Sequence, residues 1–224
     1  MEGLTWKPPK YRQQEKLPFV PLEDEIDQLI NSCGRTMSIF LQGLKETGAD
    51  PGELLQVEWT DINETARKVT INQPVKRHNP RILTVSKNWI ERLKLLPTES
   101  TRIFRAKMSS MVTSFYTQRK RRAREFKNPR LLKLTFTSIR HWKATMEYHR
   151  TKDILHVKQL LGHKRIGSTM VYIDIERALY GDHEDDAFVS RCTRSDKGAR
   201  ALIDAGFQYV CTTPNETMLF RKRK

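Results

Sequence analysis

The chain is short of acid and of cysteine, and it has no long apolar run. Against 41 lysines and arginines stand only 26 aspartates and glutamates, a net charge of +15 over 224 residues. Three cysteines (Cys33, Cys192 and Cys211) lie far apart and form no CxxC pair. That excludes a zinc knuckle and a disulfide framework, and fits a reducing cytoplasm. No stretch approaches the ~18 apolar residues that would span a bilayer. The first residues, Met1-Glu2-Gly3-Leu4-Thr5-Trp6-Lys7, contain no apolar signal-peptide core. Internal repeats and low-complexity tracts are also missing. The sequence therefore gives no sign of a membrane, of a metal or of any other cofactor. With 38% hydrophobic residues the chain has enough to bury a core. Its charge asks for a polyanionic partner, and nucleic acid is the first choice.

Pro8, Pro9, Pro18 and Pro21 mark an extended lead-in over residues 1–20. Helical spacing of apolar residues follows over Leu22 to Ile30 and Met37 to Thr47, with Gly48 as C-cap. Pro51 opens a short helical turn. Val57-Glu58-Trp59, Val69-Thr70-Ile71 and Ile82-Leu83-Thr84-Val85 predict a three-stranded antiparallel sheet. Its last hairpin carries the polar tip Pro74 to Pro80. Further helices are expected over Asn88 to Leu96, from about Ser110, over Ser138 to Arg150 and over Asp153 to Leu161. A last one runs through Tyr172 to about Leu179, with Gly167-Ser168-Thr169 as its N-cap. The fold expected is α+β: a mainly helical domain over 21–182 with one small antiparallel sheet, then a small β-α-β-β unit over 183–224 with a basic end.

Two features carry chemistry. Arg119, Lys120, Arg121, Arg122 and Arg124 lie in one helix, relieved only by Glu125. Like charges three and four residues apart repel, and phosphates would relieve the repulsion. The second feature is the spacing of Arg140, His163 and Tyr172. An arginine that holds phosphate oxygens, a histidine that bonds them or moves a proton, and a phenol that attacks phosphorus are a set for phosphoryl transfer.

The ordered segments Glu46-Thr47-Gly48 with Gly52-Glu53-Leu54, Trp59-Thr60-Asp61-Ile62, the hairpin lysine, Arg140-His141-Trp142, Leu161-Gly162-His163 and Tyr172 resemble the tyrosine recombinase (phage-type integrase) family, most like its archaeal members. The likeness runs to about Leu179. It implies DNA integration or recombination by metal-free cleavage of double-stranded DNA through a 3′-phosphotyrosine, with self-association on DNA and a cytoplasmic, nucleoid-associated location. By it Tyr172 matches the nucleophile, Arg140 the second phosphate-clamping arginine, His163 the motif histidine and Lys76 the general acid. Arg77 and Arg81 compete with Lys76 and are candidate DNA contacts, together with the five cations of 119–124. His141 matches a histidine commonly found after that arginine and is taken as structural.

Two positions depart from the family. Asp50 stands where the first arginine belongs, and no arginine occurs between Arg35 and Arg67 to suggest a shifted register. Thr137 stands where a histidine or lysine belongs. An aspartate repels phosphate, and threonine cannot accept the tyrosine proton near neutrality. The expectation is strand cleavage strongly impaired. The alternative is a non-catalytic DNA-binding protein or regulator on the same scaffold, and a third reading is a topoisomerase-like nickase. The family also implies an N-terminal helical core-binding domain, for which this sequence holds no counterpart, so weak and strongly salt-dependent DNA binding is expected.

Overall fold

Helix α2 (Arg35–Thr47) is apolar on more than one face, and the fold closes around it: Ile39, Phe40, Leu41 and Leu44 are each 0% exposed. The computed structural model describes residues 17–76, 78–181 and 188–223. The described chain divides into two compact units, one up to Glu176 and one from Arg177 on.

In the first unit, α1 (Glu23–Ser32) presents Ile26, Leu29 and Ile30 to α2. Helices α4 (Lys87–Leu93) and α6 (Phe136–Thr151) pack on α2 as well. The Phe40 ring meets Phe104 and Phe136 edge-on at 5.1 and 5.3 Å, and Phe115 lies 4.6 Å from Phe136. Phe115 comes from α5 (Met108–Glu125), so the aromatic cluster joins the cationic helix to the core. Trp89 is fully buried, and its indole N–H donates to the Ile39 carbonyl at 2.9 Å. It lies flat against α2 because residue 43 is glycine, where a Cβ would come within 2.7 Å of the indole.

The sheet has the order β1 (Ile62–Asn63), β2 (Lys68–Ile71), β3 (Arg81–Thr84), antiparallel throughout. Val69 faces Ile62 on one side and Leu83 on the other. The expected first strand at Val57-Glu58-Trp59 is a correction. Those residues instead pair with a later segment: Ile103 donates to the Val57 carbonyl at 3.1 Å and Glu58 bridges Arg102. Trp59–Asp61 is a 3₁₀ turn, and the strand begins after it. Both segments satisfy their backbone groups, but only a partner distant in the chain decides which pairing each makes.

Helices α3 (Pro51–Leu54), α7 (Ile154–Leu161) and α8 (Gly167–Tyr180) complete the frame of the site. Helix α8 starts at Gly167 itself, so Thr169 is its third residue rather than part of an N-cap. The second unit is β4 (Phe188–Thr193), α9 (Asp196–Asp204), β5 (Gln208–Thr212) and β6 (Met218–Arg223), the expected β-α-β-β succession. Its strands lie in the order β4-β6-β5, and Phe220 is its buried centre. Among the described residues no helix is long and apolar enough to cross a membrane.

Gly43→Val forces two methyl groups against a buried indole that has no room to move. The expected loss is ~2–3 kcal/mol of unfolding free energy, measured by urea denaturation.

Candidate active site

The N-terminus of α6 sets the site. Thr135 caps it, accepting from the Ser138 N–H at 3.0 Å, while the Ser138 hydroxyl accepts from the Thr135 N–H at 2.8 Å. This start leaves Thr137 exposed on the first turn and turns Arg140, one turn later, inward. Arg140 is 5% exposed. Its guanidinium donates to the Gly48 carbonyl at 2.5 Å and to the Leu161 carbonyl at 2.8 Å. It also meets His163 Nε2 at 3.2 Å. These carbonyls end α2 and α7, where helix dipoles are negative. Both helices stop at glycines in the left-handed region, Gly48 at φ 61° and Gly162 at φ 73°. A guanidinium has five N–H donors, so these bonds leave two for a phosphate.

His163 is held on both nitrogens. Because the arginine donates to Nε2, the ring hydrogen sits on Nδ1 and is donated to Thr169 Oγ1 at 3.0 Å. Burial first, then the charges of Arg140, His78 and Arg81, push its pKa down to about 4. The imidazole is neutral at pH 7 and offers polarity rather than charge.

Tyr172, on α8, is 3% exposed. Its hydroxyl lies 3.1 Å from Nδ1 of His141. Burial raises the phenol's pKa, opposed by the positive charge of Arg140. The helix that carries Tyr172 is anchored along one face: Thr169 to His163, Tyr172 to His141, and Glu176 to His149 at 2.7 Å and to Lys152. Arg140 thus bonds His163, and the Tyr172 hydroxyl lies close enough to feel the charge of Arg140 and meets His141, the next residue on α6. His141, read from the sequence as structural, joins them through the phenol oxygen of Tyr172.

Asp50 sits at the N-cap of α3, accepting from the Gly52 N–H at 3.0 Å, and holds Lys76 at 2.9 Å. Burial would raise its carboxyl, but Lys76, the Gly52 N–H and Arg140 outweigh burial and hold its pKa below the usual carboxylate range. Lys76 is itself at a positive φ of 52° with its side chain 70% exposed. The hairpin below it is pinned to the end of α7. Asn79 donates to the Gly162 carbonyl at 2.8 Å, and Arg81 Nε to the Leu160 carbonyl at 2.8 Å. Arg81 also bonds the fully buried Glu53 at 2.6 Å, and His78 meets Glu53 at 2.7 Å. This Glu53–Arg81–His78 network was not foreseen. Only the Gly52-Glu53-Leu54 run hinted that Glu53 has a fixed partner.

The candidate DNA contacts separate. Lys120, Arg121 and Arg124 are exposed on α5. Arg119 folds over Tyr116 at 4.5 Å and donates to the Leu134 carbonyl, while Arg122 pairs with Glu125 at 2.6 Å. Arg81 is turned inward, its side chain 7% exposed. Arg77 lies outside the described residues.

The sequence model of the phage integrase family matches residues 22–178. Among solved structures the chain is similar to the XerA recombinase, at 21% identity and a TM-score of 0.61, over 80% of this chain and 67% of that one. It is similar to the catalytic domain of bacteriophage HP1 integrase at 20% identity and a TM-score of 0.53, over 76% of this chain and 98% of that one. A third likeness is to the XerH site-specific recombinase bound to its palindromic difH substrate in a post-cleavage complex. There the identity is 19% and the TM-score 0.54, over 73% of this chain. The chain spans about half of that protein, 52% of its length. These likenesses carry the fold: a mainly helical domain with small antiparallel sheets. No curated protein matches the sequence.

The His163 environment sets a pH dependence. Its folded value of about 4 lies below the ordinary 6.5, so the unfolded chain takes up a proton first. The His163 contribution to stability falls as pH drops from about 6.5 to about 4 and is constant below. Urea unfolding across that window is expected to show a shallower decline in His163→Gln than in the native chain.

Proposed function

Because the chain belongs to the phage integrase family, we propose that it binds duplex DNA and cleaves it through Tyr172, at a rate held down by Asp50. The observation that carries this reading is the convergence of Tyr172, Arg140 and His163 in one cluster with the hairpin lysine at its edge. A phosphodiester is a poor electrophile because its anionic oxygens repel a nucleophile. The two remaining donors of Arg140 hold those oxygens and stabilise the charge that builds on them. Tyr172 attacks phosphorus, and the 3′ end of the strand remains on its oxygen. The departing 5′ oxygen takes a proton from Lys76. Another 5′ hydroxyl can reverse the step, because the phosphotyrosine conserves the bond.

Asp50 weakens this chemistry in two ways. It puts a carboxylate where a second cation would face the phosphate, and it engages the ammonium of Lys76. Loss of one preorganised donor costs ~10²–10³ in rate, and a reversed charge costs more. Thr137, exposed and not basic, supplies no proton acceptor. Self-association on DNA belongs to the same reading.

The second reading, a non-catalytic DNA-binding protein or regulator, is favoured by the burial of Tyr172 at 3% exposure and by the closed Asp50–Lys76 pair. Lys120, Arg121 and Arg124 are the phosphate contacts under both readings.

A pool of nicked suicide duplexes of randomised sequence separates them, since a trapped adduct survives denaturation. The expected outcome is scarce adduct from the native chain, none from Tyr172→Phe, and at least ~10-fold more from Asp50→Arg. That variant also loses a helix cap, about 1 kcal/mol, so its folding is checked by thermal melting. No adduct from either the native chain or Asp50→Arg would leave the regulator reading. For binding, replacing Lys120, Arg121 and Arg124 together by alanine is expected to flatten the dependence of log K on log salt by roughly 2–3, about 0.9 per lost phosphate contact. Fluorescence anisotropy over a salt series measures it.

A further inference from the structure

Attack by Tyr172 poses a proton problem that the described site answers in an unexpected place. A phenol in this burial is protonated at neutral pH, so a base must take its hydrogen as the oxygen bonds to phosphorus. Thr137 is not a base. His163 receives an N–H from Arg140 on one nitrogen and gives its own hydrogen to Thr169 from the other, so no lone pair is left. Lys76 is a cation bound to Asp50. Among the described residues one basic atom is in contact with the phenol oxygen: Nδ1 of His141, at 3.1 Å, with the two rings 5.9 Å apart and tilted by 47°. The phenol is a stronger acid than a neutral imidazole, so the stronger form of this hydrogen bond has the phenol donating. That form puts the ring hydrogen on Nε2.

We propose that His141 is the general base of strand cleavage, accepting the Tyr172 proton on Nδ1 in place of the residue that position 137 lacks. The inference rests on the reading of Tyr172 as nucleophile. In the step, the Tyr172 O–H bond breaks and its proton passes to His141. The oxygen bonds to phosphorus, the bond to the 5′ oxygen breaks, and that oxygen takes its proton from Lys76. Resealing returns the proton from His141 to the phenol. No electron transfer is involved and no further reactant is needed.

The surroundings give the base a trigger. Two groups facing His141 matter: Arg140, the preceding residue on its own helix, and Tyr172 on α8. Burial, and then the charge of Arg140, lower the basicity of His141 in the free protein. A phosphate held by Arg140 offsets that charge. The histidine therefore becomes a better proton acceptor when substrate is in place.

Two measurements on the full chain test this. The first is ¹⁵N NMR of histidine-labelled protein at pH 7.5, with the His141 signals identified by their loss in His141→Gln. The expected result is an Nε2–H tautomer whose Nδ1 shift changes in Tyr172→Phe. An Nδ1–H tautomer overturns the proposal without any DNA. The second is the initial rate of adduct formation on the randomised nicked duplexes, in the native and Asp50→Arg chains. His141→Gln, whose amide can still hold the phenol, is expected to lower the rate at pH 7 by about 10²-fold or more. The deficit should shrink as pH rises toward 9.5, because the phenolate fraction grows about tenfold per pH unit without a base, and added imidazole should restore rate to His141→Ala. Rates within threefold of the parent and an unchanged pH profile in His141→Gln overturn the role of His141 alone. Absence of Tyr172-dependent adducts from both parents overturns the cleavage reading and this inference with it.

Discussion

The buried guanidinium of Arg140 joins the parts of the site. It bonds the carbonyl that ends α2, the carbonyl that ends α7 and the ring of His163, groups that lie 92, 21 and 23 positions away in the chain. An arginine is costly to bury unless its donors are met. Here helix-end carbonyls meet them, and those are among the few strong acceptors a helix leaves open. Each bond does double duty: it solvates the cation, and it fixes the helix ends from which the hairpin and α8 take their positions. A charge held this way is preorganised, since it does not have to be gathered when a phosphate arrives.

The hairpin follows from the same arrangement. Gly162 must be a glycine twice over: its φ is positive, and a Cβ there would strike Arg81 at 2.7 Å. Arg81 can therefore lie against the end of α7 and reach Glu53. Asp50 has local work of its own: it caps α3 and holds Lys76. One short carboxylate serves both: its oxygens accept the capping N–H and its charge holds the ammonium.

Much of this was legible in order along the chain. Apolar periodicity located α1, α2 and the helices of residues 136–161, because a 3.6-residue repeat is a local property. Glycine at 48 and 162 marked two helix ends. The charge run on α5 was visible, but not the division within it. Arg119 lies on Tyr116 and Arg122 on Glu125, while Lys120, Arg121 and Arg124 face outward. Helical phase hints at such a split, but neighbouring elements decide it. The first sheet strand was misplaced because Val57-Glu58-Trp59 and Ile62-Asn63 are equally competent to pair, and Ile103 claimed the earlier segment. The inward turn of Arg81 was not legible for a like reason: a lysine or arginine near a hairpin tip looks the same whether it faces solvent or a buried glutamate.

By itself the sequence determined the family, most of the succession of helices and strands, and which side chains are candidates for handling a phosphate, since these depend on residue type and spacing. Tertiary structure decided which of them have donors or lone pairs to spare. It spent three donors of Arg140 on the protein, both nitrogens of His163 on neighbours and the carboxylate of Asp50 on Lys76, and it left Nδ1 of His141 against the phenol of Tyr172. Hydrogen-bond capacity is a property of what surrounds an atom, and those surroundings come from residues that are distant in the chain.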